Sequence, residues 1–195
     1  QYQQRVRALV LRGVFLARRQ DMDWFITDGA NKIYPELFED LLAALPEHAV
    51  NERVESLYQT VFGADEEAAI KAAQAWEAWG SQLAVGAYYD GEEDSGDAEK
   101  LLAQVKMELH YAKNHYFIED NQILNQCATL TDIPAVIIHG RQDLVCPLEA
   151  GWSLAHALPQ ADFNVLPTAG HIAQGDAMVD ALVTAMDDLT KEPHR

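Results

Sequence analysis

Asp143 and His171 are the two residues of this chain whose types and positions suit acid–base chemistry. Asp143 follows the apolar, β-branched run Ala135-Val136-Ile137-Ile138 and the turn His139-Gly140-Arg141-Gln142. His171 follows a second strand-like run, Ala161-Asp162-Phe163-Asn164-Val165-Leu166-Pro167, and the pair Ala169-Gly170. Buried parallel strands read as near-continuous apolar segments, and the loops at their carboxyl ends carry functional side chains. A carboxylate at one strand tip and an imidazole at the next can share the Nδ1 proton. That bond fixes the tautomer and leaves Nε2 to take a proton from a nucleophile. Taken singly, Asp143 reads as a turn cap and His171 as an ordinary loop histidine. Taken together at consecutive strand tips, they favour the acid–base reading.

A nucleophile in matching context is absent. No Gly-x-Ser-x-Gly elbow occurs, and the four serines are Ser56, Ser81, Ser95 and Ser153. Ser81 follows Gly80, but its surroundings are helical rather than strand–turn–helix. Cys146 lies on the same loop as Asp143 with Pro147 next, a poor position for an attacking atom, and Cys127 has no supporting context. His110, His115, His139 and His156 lie on helix or strand patterns without metal-ligand partners at useful spacing, so no metal is expected. His139 precedes Gly140 at a strand tip, from where it can orient the acid loop. Neither GxGxxG nor a P-loop is present, and no cofactor is expected.

The elements that must position these residues fall into three parts. Residues 5–13 read as a short buried strand ended by Gly13. Residues from 14 to 130 carry helical faces and almost no strand signal. Leu37, Phe38, Leu41, Leu42 and Leu45 recur at helical spacing and stop at Pro46. Asp65-Glu66-Glu67 suits the positive end of a helix bearing Ala68, Ala69, Ala72, Ala73, Ala75, Trp76 and Trp79, and Gly80 and Gly86 then loosen that pattern. The acidic stretch from Asp90 to Glu99 reads as a solvated loop without the calcium-loop pattern. Leu101 to Phe117 is again helix-like. From Ile133 onward the order is strand, helix from Leu148 to Leu158, strand, then a helix through Met178, Leu182, Val183, Met186 and Leu189. The expected domains are therefore 1–16 as strand and flank of an α/β core, 17–130 as a helical cap, and 131–195 as the rest of the core.

Composition narrows the function classes. The 195 residues are 49% hydrophobic, enough for one core with an attached helical lobe and too much for a disordered chain. A net charge of -17 leaves no basic stripe for phosphates, so a nucleic-acid partner is not expected. The same charge favours substrates with a free amine over anionic ones. No apolar run approaches the ~20 residues of a membrane span. Two cysteines make no disulfide framework, so a reducing cytoplasm is the simpler expectation. The first residues, Gln1-Tyr2-Gln3-Gln4-Arg5, lack an initiator Met and a signal-peptide apolar region, and a strand begins at once. The expectation is a chain entered midway through a domain.

Several segments resemble one family. They are Leu9-Val10-Leu11-Arg12-Gly13-Val14-Phe15-Leu16, Asp23-Trp24-Phe25, Gly29-Ala30, Ala75-Trp76 with Trp79, and His115-Tyr116-Phe117. To these add Ile133 through Arg141, Asp143-Leu144-Val145-Cys146-Pro147 and Ala169-Gly170-His171. Together they resemble the cap and flanks of proline iminopeptidases, α/β-hydrolases whose chain order is Ser…Asp…His. The likeness runs from residue 5 to 185 and is most specific in the Leu-Arg-Gly-x-Phe and Asp–Cys–Pro segments.

The resemblance implies the C-terminal portion of a mainly parallel α/β-hydrolase sheet with an inserted all-helical cap. It implies a serine aminopeptidase releasing N-terminal proline from small peptides, with Asp143 and His171 as triad acid and base and the serine and oxyanion loop upstream of this chain. Phe15 and Cys146 match residues lining the pocket for the pyrrolidine ring, and aromatic and small polarizable walls suit a flat ring. Cap glutamates hold the substrate amine in this family. Glu108 is the best match for one, although a register through Asn114-His115-Tyr116-Phe117 puts Lys113 there. For the other, aligning both tryptophans places Gly80, and Glu77 fills the position only with a shifted register. Alone, the chain is expected to be inactive. It would act with a separate N-terminal half or pair with a second copy along its first strand. A non-catalytic binding module and another hydrolase of the fold, such as an esterase or epoxide hydrolase, stay open.

Overall fold

The computed structural model of the chain describes residues 2–46, 52–86, 89 and 97–191. Residues 1–16 and 120–195 form one compact unit and residues 17–119 another.

The first unit is built on three parallel strands, β1 (Leu9–Arg12), β2 (Ala135–Gly140) and β3 (Asp162–Leu166), in the order β1-β2-β3. Leu9 pairs with Ala135 and Arg12 with Ile138 on one side, and Val136 with Asp162 through Gly140 with Leu166 on the other. Successive strand residues face opposite sides, so the central strand is buried twice over. Ile137 packs with Val14, Leu16, Ala150, Leu154 and Leu158. Ile138 packs with Leu166, Met178 and Ala185.

The first strand is shorter than its sequence suggests. Gln3–Arg5 is a single 3₁₀ turn, and Val6 is exposed. The ladder starts where Leu9 N–H donates to Pro134 O at 2.8 Å, and proline has no N–H with which to extend it backward.

Helices α1 (Arg19–Ile26), α2 (Pro35–Ala43), α3 (Arg53–Val61), α4 (Glu66–Val85) and α5 (Ala98–Lys113) make the second unit. Periodicity anticipates α2, α4 and α5 but not α1 and α3, whose buried apolar residues are few: Ile26 in one, Leu57 and Val61 in the other. Ala69, Ala72 and Ala73 of α4 are buried and keep its packing face flat, so neighbouring backbones can approach. Trp79 is tilted against Phe38 with centroids 5.1 Å apart, and its Nε1–H donates to Phe25 O at 3.0 Å. Asp65 caps α4 by accepting from Ala68 N–H, and Asp97 caps α5 by accepting from Glu99 N–H. Residues 90–96 of the acidic stretch lie outside the described residues, while Ala98 and Glu99 are already helical.

The remaining helices belong to the first unit: α6 (Gln122–Gln126), α7 (Leu148–Ala157) and α8 (Asp176–Lys191). Cys127, just after α6, is buried in the cluster around Ile137, with Leu124 and Leu130 against it. On α8 the buried stripe is Met178 and Ala185, with Ala181 and Leu182 packed beside them. Val183 and Met186 are exposed, so the apolar pattern of this helix is wider than its contact face.

Gly80 does not break α4, which runs on to Val85 and ends at Gly86 with φ +66°. A Cβ at position 80 would meet nothing within 4 Å. Gly80→Ala is therefore expected to raise stability by about 0.5–1 kcal/mol through helix propensity and a less flexible unfolded chain, read as a higher urea midpoint at unchanged slope.

Candidate functional site

Three strand ends and the loops that follow them carry the site. After β2 the chain turns so that Asp143 lies on a short loop leading to α7, and its side chain is fully buried. A carboxylate so buried needs donors. Val145 N–H and Cys146 N–H donate to Oδ1 at 3.0 and 2.8 Å. The loop after β3 brings His171, whose Nδ1 lies 3.0 Å from Oδ2 and 3.2 Å from Oδ1. The two residues singled out in the sequence are thus in hydrogen-bond contact. With Nδ1 against an acceptor-only carboxylate, the neutral ring carries its proton there and leaves the Nε2 lone pair free to act as a base. His171 is partly exposed, whereas the Asp143 side chain is fully buried.

Close approach of the loops depends on two glycines. Gly13, just after β1, has φ +52°, and a Cβ there would come 3.3 Å from His171 Cε1. Gly140, the last residue of β2, lies against the backbone of the histidine loop. A Cβ there would sit 2.3 Å from Ala169 O and 2.4 Å from Gly170 O. Arg12 adds a tether from the end of β1, its Nη1 donating to His171 O. Sequence reasoning did not assign Arg12 or Gly140 to the site. Both belong to segments it noted, but the contacts run between residues far apart in the chain.

Cys146 is buried beside Asp143, contributing its backbone N–H to the acid. Phe15, two residues beyond Gly13, is 36% exposed. In the helical unit, Glu108 accepts from Trp76 Nε1–H at 2.8 Å and from Gln104 Nε2–H at 3.1 Å. Glu77 accepts from Ser81 Oγ–H at 3.3 Å and from the same Gln104 amide at 3.4 Å. The two glutamates named in the sequence reading therefore converge on one amide.

Lys113, which takes the place of a glutamate in the other register, is bonded to Glu55 at 2.9 Å and lies 3.9 Å from the centroid of the Tyr58 ring. A cavity of about 380 Å³ borders this pair, also lined by Arg53, Asp23 and Tyr116. Among the described residues, no group of three or more His, Cys, Asp or Glu side chains is placed to hold a metal ion. Nor is any described helix long and apolar enough to cross a membrane.

Two measurements probe these contacts. Gly140→Ala must push the histidine loop off the strand end, an overpacking expected to cost about 1–3 kcal/mol, read by denaturant unfolding. The hydrogen bond from Lys113, followed by that from Gln59, holds the Glu55 carboxyl below its ordinary range. A depressed carboxylate contributes stability above its unfolded value and loses it as pH falls through the folded one. Lys113→Met is expected to return the Glu55 titration toward the ordinary range, seen by carboxyl NMR, and to remove that acid-side contribution.

Comparison with known proteins adds the following. A family model described as alpha/beta hydrolase fold matches residues 1–177. The chain is 38% identical over 181 residues to a proline iminopeptidase of Xanthomonas citri, covering 92% of this chain and 58% of that protein. It is 37% identical over 193 residues to a proline iminopeptidase of Neisseria meningitidis, covering 98% and 60%. A proline iminopeptidase of Arabidopsis thaliana is 31% identical over 188 residues, covering 95% and 50%. The chain spans between half and about three-fifths of the length of these relatives.

Proposed function

The chain belongs to the α/β-hydrolase fold family, and from that premise we propose that it supplies the acid, the base and the helical cap of a serine aminopeptidase that releases N-terminal proline from peptides. The observation that carries the reading is the buried Asp143 carboxylate, saturated on Oδ1 by backbone donors and bonded through Oδ2 to His171. The names of the relatives support this substrate class.

The steps follow from the pair. A serine hydroxyl, contributed by a segment upstream of β1, attacks the carbonyl of the N-terminal residue while His171 Nε2 takes its proton. The imidazolium that forms is stabilised by Asp143 and delivers the proton to the departing amine. Water then attacks the acyl-enzyme, giving a proton to the same Nε2, which passes it to the serine oxygen as that leaves, so proline is released and the hydroxyl is restored. Backbone N–H groups of the upstream segment hold the oxyanion.

Phe15 and Cys146 are the proposed wall of the proline pocket. Glu108 and Glu77 are the proposed receivers of the substrate's ammonium group, because two carboxylates oriented by one amide donor still have lone pairs to offer a cation. The proposed compartment is a reducing one, the cytoplasm, in which Cys127 and Cys146 stay reduced and outside any disulfide.

A second reading is favoured by one observation. Among the described residues β1 has a strand neighbour on one side only, and an open edge recruits another strand. The chain would then be a binding module that pairs with a second copy or with another polypeptide. Hydrolysis of proline p-nitroanilide, by the chain alone and after mixing with a segment bearing the nucleophile, separates the two. The aminopeptidase reading expects turnover only in the mixture and, there, a loss of about four orders of magnitude in kcat for Asp143→Asn. Tight association without turnover supports the module. Turnover that survives His171→Ala overturns the acid–base assignment.

A further inference from the structure

The geometry points to His139 as the positioning residue of the acid loop, held as the neutral Nε2–H tautomer and fixing Asp143 so that it can orient His171. The inference rests on the acid–base reading above for its catalytic meaning, but its test requires no turnover.

His139 occupies the next-to-last position of β2 and is wholly buried, with 0% exposure. It shares the parity of Ile137, so its ring lies on the α7 side of the sheet. There it abuts α7 so closely that a Cβ on Gly151 would fall 2.6 Å from its Nδ1. Both ring nitrogens are engaged. Val14 N–H, just beyond β1, points at Nδ1 from 3.4 Å. Nε2 lies 2.8 Å from Cys146 O and 3.6 Å from Asp143 Oδ2.

These neighbours decide where the proton sits. A proton on Nδ1 would face another donor, while an unprotonated Nε2 would face a carbonyl oxygen and a carboxylate. With the proton on Nε2, both sides are satisfied: Nδ1 accepts from Val14 and Nε2–H donates to Cys146 O. No other tautomer of the neutral ring leaves all of these groups paired.

The ring therefore acts on the acid through residue 146. The Cys146 carbonyl is anchored by His139, and the N–H of the same residue donates to Asp143 Oδ1 at 2.8 Å. Fixing one end of that residue fixes the donor at the other. With Oδ1 held, Oδ2 is left to His171 Nδ1 at 3.0 Å. Two histidines thus flank one carboxylate: the first is locked in the core and sets the acid, and the second is partly exposed and free to exchange protons. His139 touches no substrate in this account; it acts through Asp143.

Nitrogen-15 shifts of the ¹⁵N-labelled chain, read on neutral rings, test the role directly. In the unmodified chain His139 is expected as Nε2–H and His171 mainly as Nδ1–H. His139→Leu removes the anchor, and the Nδ1–H to Nε2–H ratio of His171 is expected to fall about tenfold, the size of one net hydrogen bond. His139→Gln, whose amide reaches the Nε2 position, is expected to restore most of that ratio. If the leucine variant does not fold, His139→Asn replaces it. Its shorter amide reaches the Nδ1 position only, so the ratio falls there and not in the glutamine variant.

A residue that merely fills space would lower thermal stability in these variants without moving the His171 ratio, and that result overturns the proposal. So does His139 found as Nδ1–H. If His171 shows no Nδ1–H preference in the unmodified chain, the acid–base pair itself fails, and this role with it. A preference that survives the loss of His139 removes this role alone.

Discussion

A carboxylate shut away from water needs donors aimed at it, and Asp143 collects them from separate parts of the chain. Two backbone N–H groups come from its own loop and an imidazole from the loop after β3. For these to meet, β2 and β3 must lie in register, with Gly140 opposite Leu166. The histidine loop must also cross the end of β2 at a distance only glycine allows. β1 closes the arrangement, since Gly13 passes under the imidazole and Arg12 holds its carbonyl. The sheet is thus the scaffold that satisfies one buried charge.

Rigidity comes from the layers on either side of β2. Alternation sends Ile137 into one apolar cluster and Ile138 into another, so α7 and α8 clamp the strand that leads to the acid. A backbone held by packing on both faces varies little in position, and the Asp143–His171 hydrogen bond depends on distances good to a fraction of an ångström. His139 extends the same face of the strand with a polar ring whose two nitrogens are both engaged. A buried polar group in that state defines one arrangement rather than several.

The helical unit follows a different logic. Buried alanines on α4 let neighbouring helices approach, and Trp76 and Trp79 fill the remaining volume with T-shaped contacts to Phe25 at 5.4 and 6.4 Å. Their indole N–H groups are not left idle. Trp79 binds a main-chain carbonyl, whereas Trp76 binds Glu108 and so orients a carboxylate that packing alone would not direct. One aromatic pair therefore serves core formation and side-chain placement together.

Much of this was legible locally. A β-branched run ending in glycine marks β2, and a strand-like run followed by a Gly-His turn marks β3 and its imidazole. Alanine and tryptophan periodicity marks α4, because strands and amphipathic helices write their contacts at short, regular spacing. That Asp143 and His171 belong together was legible too, from their order at consecutive strand tips. Pro134 shortening β1 and the sparse faces of α1 and α3 depend on which neighbours are present. The tautomer of His139 is set by Val14, 125 residues away, and the His171 carbonyl is tethered by Arg12 across 159. The sequence by itself determined which side chains are of a type suited to acid–base chemistry and that they sit at consecutive strand tips. Only the tertiary structure decided which atoms donate to which, because hydrogen bonds depend on distances of a few ångströms that no spacing along the chain encodes.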